Sequence, residues 1–407
     1  MPRRLAILSL HTSPLAQPGT GDGGGMNVYV RSVADALARA GVRCDVYTRS
    51  ESPEAPPVVT VGPGVRVHHV VAGPTEPVPK EQLPELTAPF THAMEAHLAG
   101  SGELPALFHA NYWLSGVAGH ALKHEFGLPL VSTFHTLARV KAEAGAGDDP
   151  DLRARHEVDI VRCSDLMLAS TAGEKRQLAD LYGAEPSRVE VVPPGVDHRI
   201  FRPGDRHEAR SRLGLAGRRV LLAAGRIQPL KGLDLAIECL ARLADPDATL
   251  VVVGGPSGLE GRDELARIRD LAEDLRVGHQ VRFVRPQPHD VLADYYRAAD
   301  VCLVPSFSES FGLVALEAAA SGTPVVASAV GGLRSLVVDG VTGFLVEGRD
   351  PQHYADHVSR ILHTPSLAEA LSAQAVSRSM AYSWDMTGAR LRRLYADLTA
   401  RALVECR

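Results

Sequence analysis

No apolar run in this sequence approaches the roughly 20 residues that a membrane-crossing helix needs, so no span is expected. The start imitates a secretory leader, with Arg3 and Arg4 ahead of an apolar stretch from Leu5 to Leu10. That stretch is too short, and it leads into a polar glycine-rich loop instead of a small-residue cleavage site. Neither sign of charge is in surplus. The 43 Lys and Arg residues against 48 Asp and Glu leave a net charge of −5, which offers no general attraction to nucleic acid or to an anionic membrane. Cysteine is sparse. Cys44, Cys163, Cys239, Cys302 and Cys406 are scattered without paired spacing, which predicts buried free thiols in a reducing cytoplasm rather than disulfides. No Cys/His spacing of the metal-binding kind is visible, so no metal site is expected.

What is present is enough apolar material for real cores, 45% of 407 residues, in a chain too long for one ordinary domain. Short β-branched apolar runs alternate with longer helical periods, which predicts βαβ units and parallel sheets. The first series runs from Leu5 to Val192, with helices near Met26–Ala40, Lys80–Leu98, Ser115–Glu125 and Gly173–Tyr182. The Pro- and Gly-rich stretch Pro193 to Asp205 then breaks the pattern as a linker would. A second series follows from Val220 to Leu362. The fold class expected is therefore α/β, with two Rossmann-like doubly wound domains facing a cleft, over residues 1–200 and 201–383. Residues 384–407 are expected to hold an amphipathic helix from Trp384 to Leu403 that packs back toward the first domain.

Four segments carry chemistry. The first is the loop His11 to Asn27, with three consecutive glycines, Gly23 to Gly25. It is too long for a dinucleotide fingerprint, and the second strand lacks the ribose-binding acid. A glycine run feeding a helix N-terminus still exposes amides to phosphate or sugar oxygens. The second is Gly225 to Gly232, where Arg226 and Lys231 flank a proline turn. With no metal ligands in view, these cations would stabilise a departing diphosphate. The third is Pro305 to Ala327. Glu309 in a loop and Glu317 on a helix can accept hydrogen bonds from sugar and ribose hydroxyls. The amides of Phe311, Gly312 and Leu313 open that helix toward a phosphate. The fourth is Phe134 to Lys141, where His135 ends a strand and can bind a sugar or act as acid or base. Lys80, Tyr112 and Arg153 look like ordinary rim positions by pattern alone.

With Gly-Gly-Met-Asn at 24–27, GRIQPLKG and SESFGLVALE, the whole chain resembles the retaining glycosyltransferases of family four, which have the GT-B architecture. The resemblance implies transfer of a sugar, best matched by UDP-N-acetylglucosamine, to a small hydroxylated acceptor, best matched by inositol 3-phosphate. It implies Arg226 and Lys231 on the donor diphosphate, Glu317 on the ribose and Glu309 on the sugar hydroxyls. Gly25 and Asn27 would line the junction of diphosphate and acceptor, and Lys80, Tyr112, Thr136 and Arg153 would grip the acceptor phosphate. Asn111 stands where the family pattern has histidine, and Gln287 where an arginine would stack on the base. No cofactor beyond the nucleotide-sugar co-substrate is implied, and a homodimer is compatible. Another UDP- or GDP-sugar with another acceptor, such as a nucleoside or polyol, fits the same pattern. A silent nucleotide-sugar-binding protein lacks a reason for four intact donor residues. An epimerase lacks a reason for the acceptor-phosphate set.

Overall fold

The computed structural model describes residues 3–143 and 150–406. It forms two compact units. The first comprises residues 1–16, 25–193 and 384–407, and the second 17–24 and 194–383. The division thus falls at Pro193 rather than near residue 200, and the loop segment Gln17–Gly24 goes with the second unit.

In the first unit the chain runs through β1 (Arg4–Leu8), α1 (Gly25–Arg39), β2 (Arg43–Arg49), β3 (Val58–Gly62), β4 (Val65–Val70) and α2 (Thr87–Gly100). It continues through β5 (Phe108–Asn111), α3 (Trp113–Phe126), β6 (Leu130–Thr133), α4 (Ala138–Glu143), α5 (Pro150–Cys163), β7 (Leu166–Ala169), α6 (Ala172–Tyr182) and β8 (Val189–Val191). The eight strands lie in the order β3-β4-β2-β1-β5-β6-β7-β8, parallel except for the β3–β4 pair. The second unit holds α7 (Arg206–Leu213), β9 (Arg219–Ala224), α8 (Leu233–Leu243), β10 (Ala248–Val253), α9 (Gly258–Asp274), β11 (Val281–Val284) and α10 (His289–Ala298). After them come β12 (Val301–Val304), α11 (Leu313–Ala320), β13 (Val325–Ser328), α12 (Leu333–Leu336), β14 (Gly343–Val346), α13 (Pro351–His363) and α14 (Pro365–Ser379). Its six strands are ordered β11-β10-β9-β12-β13-β14 and all pair in parallel.

Both sheets have a switch point beside their first strand. In the first unit β1 lies between β2 and β5, and in the second β9 lies between β10 and β12. Successive crossovers leave in opposite directions there, so the loops after the two central strands part and leave a crevice at their carboxyl ends. The loop after β1 begins at Ser9, and β5 ends at Asn111 with Tyr112 as its junction to α3; the corresponding loops of the second unit are Gly225–Gly232 and Pro305–Gly312. Strands buried on both faces explain the near-continuous apolar runs of β10 and β12.

The chain ends in α15 (Trp384–Leu398), which belongs to the first unit and stops short of the expected Leu403. Leu391 and Tyr395 are fully buried, and Gly388 lets the helix close on Ala36 of α1. Tyr395 and the buried His109 share a hydrogen bond of 2.9 Å. Other expectations need correction. The helix foreseen from Lys80 to Leu98 is a 3-10 helix, Lys80–Leu86, followed by α2; Pro84 in its middle denies the α-helical hydrogen bond. The strand β3 and the helices α4, α5, α7, α12 and α14 were not expected. Cys163 and Cys406 are not free thiols, because the fold brings them together sulfur to sulfur across 243 positions of sequence. They stand beside His120 and His124, a Cys/His group whose only local signal is the i,i+4 spacing of the two histidines. Cys44, Cys239 and Cys302 are free and buried, as expected. Among the described residues no helix is long and apolar enough to cross a membrane.

Candidate active site

The second unit's switch point gathers Arg226, Lys231 and Glu309. Gly225 takes φ 129°, a backbone state that needs glycine, and turns the chain away from β9. The 3-10 helix Pro229–Lys231 follows and ends at Gly232, φ 62°. A side chain at Gly232 would collide with the carbonyl of Pro305, so the two loops touch backbone to backbone. That contact, with the hydrogen bond from Phe307 N to Leu230 O at 2.9 Å, places Lys231 against Glu309. Lys231 Nζ donates to Glu309 Oε2 at 2.6 Å. The cation and the carboxylate, assigned separately to diphosphate and sugar, are therefore one ion pair. An ammonium has three donors and a carboxylate about four acceptor positions, so both keep capacity for a ligand. They line a shallow crevice with Ala224, Pro305, Ser306 and Val314. Arg226 Nη1 donates to Ser257 Oγ at 3.3 Å, and its guanidinium lies against Gly24.

Glu309 is held by a second loop that the motif reading did not include. Gly332 N donates to its carbonyl at 2.8 Å, and any side chain at Gly331 would strike that carbonyl. Gly312, φ 105°, then opens α11, leaving the amides of its first turn at the crevice. Glu317 lies one turn into this helix, buried, with Oε2 accepting from Tyr296 Oη at 2.9 Å. Burial pushes its carboxyl up to about 7, against the lowering effect of the Tyr296 hydroxyl. Gln287 follows β11, and its amide nitrogen donates to Arg285 O at 2.9 Å while its own carbonyl accepts from Gln17 Nε2 at 2.8 Å.

In the first unit, Gly25 and Asn27 stand in the first turn of α1. The buried Asn27 amide donates to Thr12 Oγ1 at 2.8 Å and to Ser13 O at 2.6 Å, so it also pins the loop after β1. The neighbouring strands β5 and β6 are each followed within two residues by a non-glycine residue of positive φ, Tyr112 at 75° and His135 at 61°. Strain of this kind is held only where the surroundings impose it. His135 Nε2 donates to Asn111 Oδ1 at 2.9 Å, and Tyr29 packs edge-on against its ring. Burial, and secondarily His109, pushes the His135 imidazole down to about 3. It is neutral at working pH and a weak base, which favours hydrogen bonding over proton transfer.

Three of the four residues expected to grip the acceptor phosphate meet on one guanidinium. Arg153, on α5, donates through Nη1 to Tyr112 Oη at 3.3 Å and through Nη2 to Thr136 Oγ1 at 3.0 Å and Thr136 O at 2.5 Å. Its Nε donates to Glu157 Oε1 at 2.7 Å. Because the arginine donates to both hydroxyls, the protons of Tyr112 and Thr136 remain free to reach an anion, beside one remaining Nη1 proton. Lys80 opens the 3-10 helix Lys80–Leu86, half-buried, on a separate element of the unit. Glu157 was missed in the sequence. It is fully buried and accepts from Arg153, Ala138 N and Tyr182 Oη, so it fixes the arginine. Its only local signal was the i,i+4 spacing from Arg153.

Residues 205–378 match the family model described as Glycosyl transferases group 1, and residues 23–199 the one described as Glycosyltransferase Family 4. The chain is 50% identical over 401 residues to D-inositol 3-phosphate glycosyltransferase of Geodermatophilus obscurus, spanning 95% of this chain and 88% of that one. It is 49% identical over 411 residues to the protein of the same name from Actinosynnema mirum, spanning 97% of each. Among solved structures it is similar to sucrose-phosphate synthase from Thermosynechococcus elongatus. The TM-score is 0.91 at 34% identity, over 98% of this chain and 99% of that one.

Proposed function

The chain belongs to the family-four glycosyltransferases, and we propose that it moves N-acetylglucosamine from UDP-N-acetylglucosamine to a hydroxyl of inositol 3-phosphate. The observation that carries the acceptor is the Arg153 cluster. A guanidinium with two hydroxyls whose protons are left to donate suits a phosphate monoester, and it has no use for a neutral polyol. Lys80 supplies a further positive charge in this reading. The curated relatives are named for the same acceptor.

The donor is read onto the second unit. Lys231, Arg226 and the first amides of α11 hold the diphosphate, Glu309 the sugar hydroxyls and Glu317 the ribose; Gln287 lies toward the base. Gly25 and Asn27 carry the helix N-terminus nearest the acceptor. No side chain of the set is a placed nucleophile, since Glu309 is engaged with Lys231. Retention then follows from front-face substitution. The sugar C1–O bond breaks, the acceptor oxygen bonds to C1 on the same face, and its proton passes to the departing phosphate oxygen. The protein's part is positioning and charge stabilisation. His135, neutral with its Nε2 proton engaged, offers only its other nitrogen, as an acceptor for a hydroxyl.

The test is an assay of nucleoside diphosphate release with product mass. UDP-N-acetylglucosamine with inositol 3-phosphate is expected to give UDP and the conjugate, and plain inositol is expected to give neither at comparable rate. Equal rates with plain inositol, or a conjugate formed only with another donor or acceptor, would overturn the assignment.

Glu317 gives a pH signature. Two ribose hydroxyls need an ionised acceptor, so donor binding favours the carboxylate over the acid. With the group near 7, the free site is protonated below that value and binding must release the proton, which weakens it. Donor affinity is expected to be about tenfold weaker at pH 6 than at pH 8. For stability the sign is opposite. A carboxyl raised on folding favours the folded state at low pH, and that contribution is lost as pH rises through 7. Calorimetric titration of UDP-N-acetylglucosamine across pH checks the first statement. A flat profile in the parent, or an undiminished slope in Glu317→Gln, contradicts it.

A further inference from the structure

We propose that His120, His124, Cys163 and Cys406 form a tetrahedral zinc site in the reduced protein, fastening α3, α5 and the C-terminal tail together. Their ligand atoms all lie within 4.8 Å of one another. Cys406 Sγ is 3.2 Å from His124 Nε2 and 4.0 Å from His120 Nε2, and Cys163 Sγ is 3.4 Å from His124 Nε2. In a tetrahedral site with Zn–S near 2.3 Å and Zn–N near 2.05 Å, sulfur and nitrogen ligands stand about 3.6 Å apart. The three observed separations straddle that value.

The ligands come from elements built to hold them. His120 and His124 sit at i and i+4 on α3, hence on one face of the helix. Cys163 is the last residue of α5. Cys406 arrives on a tail that is itself fixed, since Val404 N donates to Asp165 Oδ1 at 2.6 Å. Lys123, between the histidines, donates to Cys163 O at 2.7 Å and to Asp165 Oδ1 at 2.8 Å, which ties all three elements. Two thiolates balance the charge of Zn²⁺, and the set of two sulfurs and two imidazoles suits zinc better than oxygen-seeking cations.

Sulfur–sulfur bonding between Cys163 and Cys406 draws on the same atoms and excludes the metal. A disulfide alone has no need of two imidazoles directed at its sulfurs. From the bridged form, a dithiol supplies two electrons, is itself oxidised to a disulfide and releases two protons; the two thiolates then bind Zn²⁺ with two neutral imidazoles. The placement links the site to the acceptor cluster, because α3 begins beside Tyr112 and α5 carries Arg153. Metal here would fix the two helices that present those residues.

The test uses the full, untagged chain purified under a dithiol with zinc in the medium. Elemental analysis after desalting is expected to find about one zinc per chain. Cobalt added to metal-stripped reduced protein is expected to give the thiolate-to-metal charge-transfer band and visible bands of a tetrahedral site. Cys406→Ser, at a partly exposed position in the tail beyond α15, is expected to weaken zinc binding at least about a hundredfold, as is His124→Ala. Reduced protein without zinc above background, or a cobalt spectrum unchanged in Cys406→Ser, overturns the proposal. So does a bridge that survives the dithiol and leaves no free thiol pair.

Discussion

Lys231→Ala is expected to lower turnover by about 10²- to 10³-fold, the cost of removing one preorganised group from a developing negative charge. The leaving group is a nucleoside diphosphate, and this chain's proposed answer to its charge is Arg226, Lys231 and the first amides of α11. One of the three ammonium protons is engaged by Glu309, which leaves two for phosphate oxygens. The fold should survive. Lys231 ends a short 3-10 turn rather than packing in a core, and its pairing with Glu309 is partly open to water. Lys231→Met, with a stem of similar length and no charge, separates charge from packing. Steady-state kinetics with thermal melts decide the matter. Turnover within a few-fold of the parent in a folded Lys231→Ala protein would remove Lys231 from the diphosphate.

Arg153→Ala is expected to act twice. Loss of a charge-assisted pair to the acceptor phosphate predicts about a hundredfold fall in kcat/KM for inositol 3-phosphate, with the donor constants little changed. It also leaves Glu157 as a fully buried carboxylate without its cation. Breaking such a pair from one side costs about 3–5 kcal/mol. Ala138 N and Tyr182 Oη still serve Glu157, so the low end of that range is expected. Arg153→Lys keeps the charge but not the planar fork that reaches Glu157, Tyr112 and Thr136 together. It is expected to recover stability better than acceptor affinity. Denaturant midpoints measured beside acceptor and donor kinetics distinguish the effects. Unchanged acceptor KM in Arg153→Ala would detach the cluster from the acceptor.

The segments proposed to hold the donor stood out in the sequence because their chemistry is local. Arg226 and Lys231 are five positions apart, and Glu309, Glu317 and the start of α11 lie in one run. Strands β9 to β14 were legible too, since a sheet covered on both faces requires continuous apolar runs. The helix α5 escaped for the opposite reason. Its sequence is mainly polar, and part of what it buries is the charged pair Arg153 and Glu157, so no apolar stripe marks it. Arg153 therefore looked like a rim residue, and Glu157 was not noticed. The 3-10 break before α2 was signalled by Pro84, yet the helical period on either side masked it.

The sequence by itself determined two α/β units built on largely parallel sheets and the family, and it marked the residues proposed to meet a nucleotide diphosphate. Periodicity and short motifs encode these within a few turns of chain. Tertiary structure alone decided three things. It joined Lys231 to Glu309 through the touching backbones of Gly232 and Pro305. It brought Tyr112 and Thr136, from the segments after β5 and β6, onto the guanidinium of Arg153 on α5. It set Cys163 and Cys406 beside two histidines of α3. Each depends on strand order and on backbone approach at crossovers, and neither leaves a period or a spacing in the chain.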